Sequence, residues 1–176
     1  MSAVLTVGHS THPVAQFIDV LQRAGVRTLV DVRTMPRSRT NPQFNADVLP
    51  RALAAAGIGY EHIAALGGLR PRQRTVPEKV NAYWENASFH NYADYAMSDA
   101  FAAGLTRLRA LAAEAPTAVM CAEALWWRCH RRIIADYLLA AGQAVSHIMA
   151  DGSLVEAHLT PAAQRSGAVL VYPPSG

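Results

Sequence analysis

TAVMCAEALWWRCHRRIIADYLLAA, residues Thr117–Ala141, decides the fold. The apolar run from Thr117 to Ala122 predicts a buried strand. From Arg128 onward, Ile133, Ile134, Tyr137, Leu138 and Ala141 recur at helical spacing and predict a helix ending at Ala141. Between strand and helix lie Cys121, Glu123, Arg128, Cys129, His130 and Arg131. Thiols, a carboxylate, an imidazole and guanidinium groups thus gather at a strand-to-helix crossover, where α/β proteins commonly keep their chemistry.

The same alternation extends in both directions. Ala3–Val7 reads as a short buried strand, Pro13–Ala24 as a helix closed by Gly25, and Val26–Val32 as a second strand. Asp47–Ala56 is predicted helical and Ile58–Ile63 a third strand. Residues Tyr83–Met97 read as helix in pieces and Asp99–Glu114 as one clear helix. Ala144–Met149 reads as a strand, with a short one at Ala168–Tyr172 in the tail. Arg33–Asn45 and Ala64–Pro77 are aperiodic and read as loops. Alternating strands and helices imply an α/β fold: a single-domain, three-layer, Rossmann-like sandwich over residues 1–176, with a mostly parallel sheet. If the chain winds outward from its first strand in both directions, that strand and the Thr117 strand are central neighbours. Gly8-His9-Ser10-Thr11 then lies beside Cys121-Ala122-Glu123, with the Arg33–Arg39 loop next door.

Composition narrows the setting. The formal charge is +3, and Lys79 is the only lysine among 16 basic residues. No apolar run has the roughly 18 residues of a membrane span, and Met1–Gly8 lacks the pattern of a signal peptide. Two cysteines eight positions apart make no disulfide framework, so both read as free thiols in a reducing cytoplasm. No membrane partner is expected. The sequence specifies neither a cofactor nor an oligomeric state.

Candidate chemistry centres on Cys121 as a nucleophile with His130 or Glu123 as base. Cys129 reads as a small core residue, cysteine being among the most buried types. A thiol-phosphatase or rhodanese cradle is disfavoured. The first arginine after Cys121 is Arg128, one residue beyond the phosphatase spacing, and no glycine lies between them. A metal site would need His9 to join Cys121, Cys129, His130 and Glu123, whose spacing is not that of structural zinc; no metal is assigned. Arginines spaced by two in loops present forks suited to phosphate. On that basis Arg33, Arg37, Arg39 and Arg70, with Arg128, Arg131, His9, Ser10 and Asn41, are the expected substrate-binding groups.

These pieces together resemble the DUF488 family of uncharacterised bacterial and archaeal proteins. The likeness rests on Gly8-His9-Ser10-Thr11, Val30-Asp31-Val32-Arg33, Pro36-Arg37-Ser38 and Asn41-Pro42-Gln43-Phe44-Asn45. Leu66-Gly67-Gly68, Tyr92-Ala93-Asp94-Tyr95, Cys121-Ala122-Glu123 and Arg128-Cys129-His130-Arg131 complete it. It runs from about Leu5 to about Ile148 and implies a single α/β domain, with no established reaction. Three functions remain in competition. The first is an enzyme acting on a phosphate-bearing partner, either a nucleotide or a nucleic acid. The second is a non-catalytic module binding the same partners, and the third is a metal or thiol-redox protein.

Overall fold

The computed structural model describes residues 3–175. Met1, Ser2 and Gly176, the outer ends of the first and last segments read from the sequence, lie outside the described residues. Six strands form one sheet: β1 (Val4–Gly8), β2 (Thr28–Asp31), β3 (Gly59–His62), β4 (Thr117–Cys121), β5 (Val145–Ile148) and β6 (Leu154–Glu156). Their spatial order is β3-β2-β4-β1-β5-β6. All pairings are parallel except that of β5 with β6. β1 and β4 are central neighbours, as the outward winding predicts, with Gly8 opposite Cys121. All five residues of each are buried, as expected for strands covered on both faces.

Alternate residues of these strands feed two separate cores. Leu5, Val7, Ala118 and Met120 pack with Phe17 and Leu21 of α1 (Val14–Arg23) and with Leu49 and Leu53 of α2 (Leu49–Ala55). Val4, Val119 and Cys121 face the other way. They join Tyr92 of α3 (Ala87–Tyr95), Phe101 and Leu108 of α4 (Asp99–Glu114), and Ile133 and Ile134 of α5 (Arg131–Ala140). This is a Rossmann-like α/β sandwich. The chain leaves β1 and β2 toward one face and β4 toward the other, so a crevice opens at the C-terminal end of β4. Ligands bind in that position in such sheets.

The structure departs from the sequence reading in two places. The helix predicted from Arg128 begins at Arg131, because Trp126–Arg128 close a 3-10 turn and Cys129 is extended (φ −124°, ψ 151°). His130 takes the N-cap position of α5. The tail also carries β6 and a hairpin of β7 (Gln164–Ser166) and β8 (Val169–Val171), of which only the last strand was expected. Asp151-Gly152 is a hairpin signal that would have revealed β6. Gly152 has φ +86°, and Asp151 Oδ1 accepts from Ser153 N–H at 2.9 Å. The tail is anchored to α5 by Tyr172, whose hydroxyl donates to Asp136 Oδ2 at 2.8 Å.

His147 on β5 supplies a pH test of this core. It is 1% exposed, its ring stacks on Trp126 at 4.3 Å, and its Nδ1 meets Thr6 Oγ1 at 2.6 Å. Burial, and then the nearby Arg131 charge, lower its pKa from 6.5 to about 4. In that interval the unfolded chain binds the proton first. The resulting stability is therefore present above pH 6.5 and is lost as pH falls toward 4. The loss is at most about 3 kcal/mol. Urea midpoints followed from pH 7 to 4 are expected to fall, and to fall less steeply in His147→Gln. An equal slope in the two proteins would assign the acid sensitivity to other groups.

Candidate active site

A cavity of about 420 Å³ opens at the C-terminal ends of the central strands. Cys121 from β4, Cys129 and His130 from the approach to α5, and His9 from the end of β1 form its polar floor. Met35, Leu69, Phe89 and Tyr92 supply apolar walls, and Arg37, Arg128 and Glu123 also line it. Met35 and Leu69 are 70% and 76% exposed, so these lips of the cavity meet solvent.

The geometry of His130 sets the chemistry. Its Nε2 lies 2.7 Å from the Val32 carbonyl, which only accepts, so Nε2 carries the proton. Nδ1 is therefore left to face Cys129 Sγ, 3.3 Å away. The imidazole is held between Tyr92, edge-on at 5.0 Å, and the backbone of Gly68. A Cβ at Gly68 would stand 2.4 Å from His130 Nδ1. Only a residue without a side chain lets the Gly67-Gly68 loop close over the ring.

The two thiols differ sharply. Burial opposes ionisation of Cys129, but the hydrogen bond from Cys121 and the charges of His130 and Arg131 outweigh it, holding this thiol well below the ordinary range. Arg131 N–H also points at Cys129 Sγ, at 3.5 Å. Burial, followed by the hydrogen bond and charge of Cys129, pushes Cys121 well up. The two Sγ atoms are 2.7 Å apart. With Cys129 ionised, the proton between them stays on Cys121.

Arg131 is fully buried. One terminal nitrogen donates to Thr6 Oγ1 at 3.3 Å, and the other to the carbonyls of Glu123 and Ala124 at 2.8 and 3.3 Å. Among the described residues it has no carboxylate partner, and its Nε finds no acceptor. It therefore lies beneath the site as a fixed positive charge.

Other expected binding groups are differently placed. The Arg33 guanidinium lines the cavity but is clasped by Asp31: Nε to Oδ1 at 2.9 Å and a terminal nitrogen to Oδ2 at 2.7 Å. It also donates to Phe44 O at 2.7 Å and to His9 Nε2 at 3.3 Å. His9 gives its Nδ1 proton to Ser10 O at 2.8 Å and stacks on Phe44 at 4.3 Å. Burial, more than the neighbouring Arg33 charge, lowers its pKa. Arg70 donates to the carbonyls of Gly67 and Ala64 at 3.0 and 2.6 Å and covers the Tyr95 ring, pinning the glycine loop. Ser10, Arg39, Asn41 and Arg70 do not line the cavity. Glu123 does, and its Oε1 accepts from Leu125 N–H at 3.2 Å, which ties it to the turn before α5. Arg37 and Arg128 alone bring guanidinium groups to the cavity without hydrogen bonds or ion pairs among the described residues.

Among the described residues no group of three or more His, Cys, Asp or Glu is placed to hold a metal ion. Although β1 and β4 are adjacent, both ring nitrogens of His9 are already engaged. No described helix is long and apolar enough to cross a membrane.

The model of the DUF488 family, a domain of unknown function, matches residues 13–138, more than half of the chain. The protein belongs to the DUF488 family. The DUF488 match runs from the start of α1 into α5, so Arg37, Gly68, Cys121, Cys129 and His130 fall within it while His9 precedes it. No curated protein and no solved structure matches the chain. Sequence reasoning placed Cys121 and His130 at this site and read Cys129 as a core residue; it is buried in the core and also lines the cavity against His130. Its adjacency to His130 was the available signal.

Proposed function

We propose that this DUF488 protein is an enzyme acting on a small phosphate-bearing molecule, with Cys129 as nucleophile and His130 as its base. The observation that carries the reading is His130 Nδ1 turned onto Cys129 Sγ at 3.3 Å, with its tautomer fixed by Val32 O. A base oriented by a third group beside a thiol is the arrangement that activates a nucleophile. The Cys129 thiolate attacks the electrophilic centre of the substrate. The proton taken up by His130 passes to the departing group. Arg131 and the Cys121 thiol stabilise the thiolate from below.

Arg37 and Arg128 are the substrate's anion-binding groups in this reading, because their forks are uncommitted. The walls of Phe89, Tyr92 and Leu69 suit a flat or apolar moiety attached to the phosphate. A concave site of about 420 Å³ favours a small molecule over a nucleic acid strand. Two thiols kept reduced suit a cytoplasmic setting.

Calorimetric titration with nucleoside monophosphates and aromatic phosphomonoesters tests the binding half of this reading. Replacing both Arg37 and Arg128 by Ala is expected to raise Kd on the order of 10²-fold for any ligand found, since each charge-assisted hydrogen bond contributes about 1.5–3 kcal/mol. Unchanged affinity in the double variant would remove these residues, and with them the phosphate assignment.

A further inference from the structure

The proposed reaction needs one ionised sulfur, yet the cavity floor holds two. Cys121 closes β4 in a buried position where any small apolar residue would fill the space. Its Sγ is 2.7 Å from Cys129 Sγ, and a disulfide requires about 2.05 Å, so bond formation asks for less than an ångström of closure. Both sulfurs belong to the cavity wall, which a small oxidant can enter. The Cys121 contact, His130 and Arg131 push the Cys129 thiol down while burial pushes Cys121 up, and only Cys129 Sγ faces His130 Nδ1, at 3.3 Å, so attacking and resolving roles are already divided. The cavity lining therefore combines a thiol of lowered pKa facing a histidine, access from solvent and a second thiol in contact.

We propose that Cys121 and Cys129 form a reversible dithiol–disulfide couple that reacts with hydroperoxides, Cys129 being oxidised first and Cys121 resolving it. In the first step the Cys129 thiolate attacks one oxygen of the peroxide, forming an S–O bond as the O–O bond breaks. The leaving oxygen takes the proton from His130, giving water (or an alcohol) and Cys129 sulfenic acid. In the second step Cys121 sulfur attacks Cys129 sulfur. The S–O bond breaks, and hydroxide leaves with the Cys121 proton as a second water. Two thiols are oxidised by two electrons and the peroxide is reduced by two. A low-molecular-weight thiol or dithiol reverses the change by exchange. The disulfide removes the nucleophile that faces His130, so peroxide also switches off the reaction proposed above. The couple rests on that reading only in taking Cys129 as the ionised thiol and needs no substrate.

The test is intact mass spectrometry of the full-length protein, reduced, desalted, treated with equimolar hydrogen peroxide and then with excess alkylating agent. The wild type is expected to lose two hydrogens, to take no alkyl group, and to regain both thiols with dithiothreitol. Cys121→Ser is expected to gain one oxygen at Cys129 instead, and a second when a further equivalent of peroxide is added. Cys129→Ser is expected to remain unoxidised. Oxygen gain in the wild type without a disulfide, or oxidation of Cys121 at the wild-type rate in Cys129→Ser, overturns the proposal. The wild-type measurement depends on no variant's folding. Disulfide formation in a protein that binds none of the phosphate compounds would leave this couple standing and remove the proposed function. Turnover by a wild type that resists peroxide would do the reverse.

Discussion

Cys129→Ser is expected to lower kcat/KM by on the order of 10³-fold or more, with KM changing far less than kcat. A serine hydroxyl fits the space and still reaches His130 Nδ1, but it does not ionise in the range where the thiol does. The substitution therefore removes the nucleophile while leaving the cavity walls and Arg37 and Arg128 in place. The assay is turnover of whichever phosphate compound binds in the calorimetric screen. The pH dependence separates this role from a packing one. Because the Cys129 thiol lies well below its ordinary range, alkylation by iodoacetamide should stay fast at pH values where free thiols have slowed. In His130→Ala the same profile should move up toward the ordinary range. Full turnover in Cys129→Ser, or a wild-type alkylation profile like that of free cysteine, would end its candidacy as nucleophile.

The second large effect is structural. Gly8→Ala is expected to cost about 3 kcal/mol or more of stability, read as a lower urea midpoint at unchanged slope. A Cβ at this position would lie 1.8 Å from Glu123 O, 2.5 Å from its carbonyl carbon and 2.9 Å from Ala124 Cα. All three are backbone atoms, so no side-chain rotation relieves the overlap. The segment is also tied in place, since Glu123 O accepts from Arg131 at 2.8 Å and Gly8 is paired with Cys121 in the sheet. A loss under about 1 kcal/mol would mean that the loop after β4 shifts as a unit. That shift would then be visible as altered Cys129 reactivity.

What the sequence made legible follows from where each signal is stored. The strands and helices around both cores were readable because burial on both faces writes continuous apolar runs and helical stripes into the chain. The adjacency of β1 and β4 followed from right-handed winding. It correctly brought Gly8 opposite Cys121 and gathered Cys121 and His130 at one sheet edge. Cys129 is buried in the core as its type predicts, but its contact with His130 was not legible, because the pose of that ring depends on partners distant in sequence: Val32 O fixes the His130 tautomer, and Gly68 and Tyr92 hold the ring. The arginine loops show the complementary difficulty. Alternating arginines look alike in sequence, but Arg33 is consumed by Asp31 and Arg70 by two loop carbonyls, while Arg37 reaches the cavity unpaired. A side chain's free valence is a property of the folded neighbourhood. The β6 edge strand was missed for a simpler reason: its three residues are all exposed and carry no apolar periodicity, leaving Asp151-Gly152 as the clue.

Arg131 gives the fold a stake in its own reactive group. Its interior charge meets hydroxyl and carbonyl oxygens but no carboxylate among the described residues, and it is one of the groups that hold the Cys129 thiol below its ordinary range. A thiol with a depressed folded-state pKa adds stability above the unfolded value, and that stability is lost as pH falls through the folded one. Acid and alkylation both discharge the same sulfur, and each leaves the guanidinium with only its neutral hydroxyl and carbonyl partners. Alkylation of the thiol will therefore register as a lower melting temperature even with the cavity empty, making thermal stability a label-free reporter of the state of the sulfur.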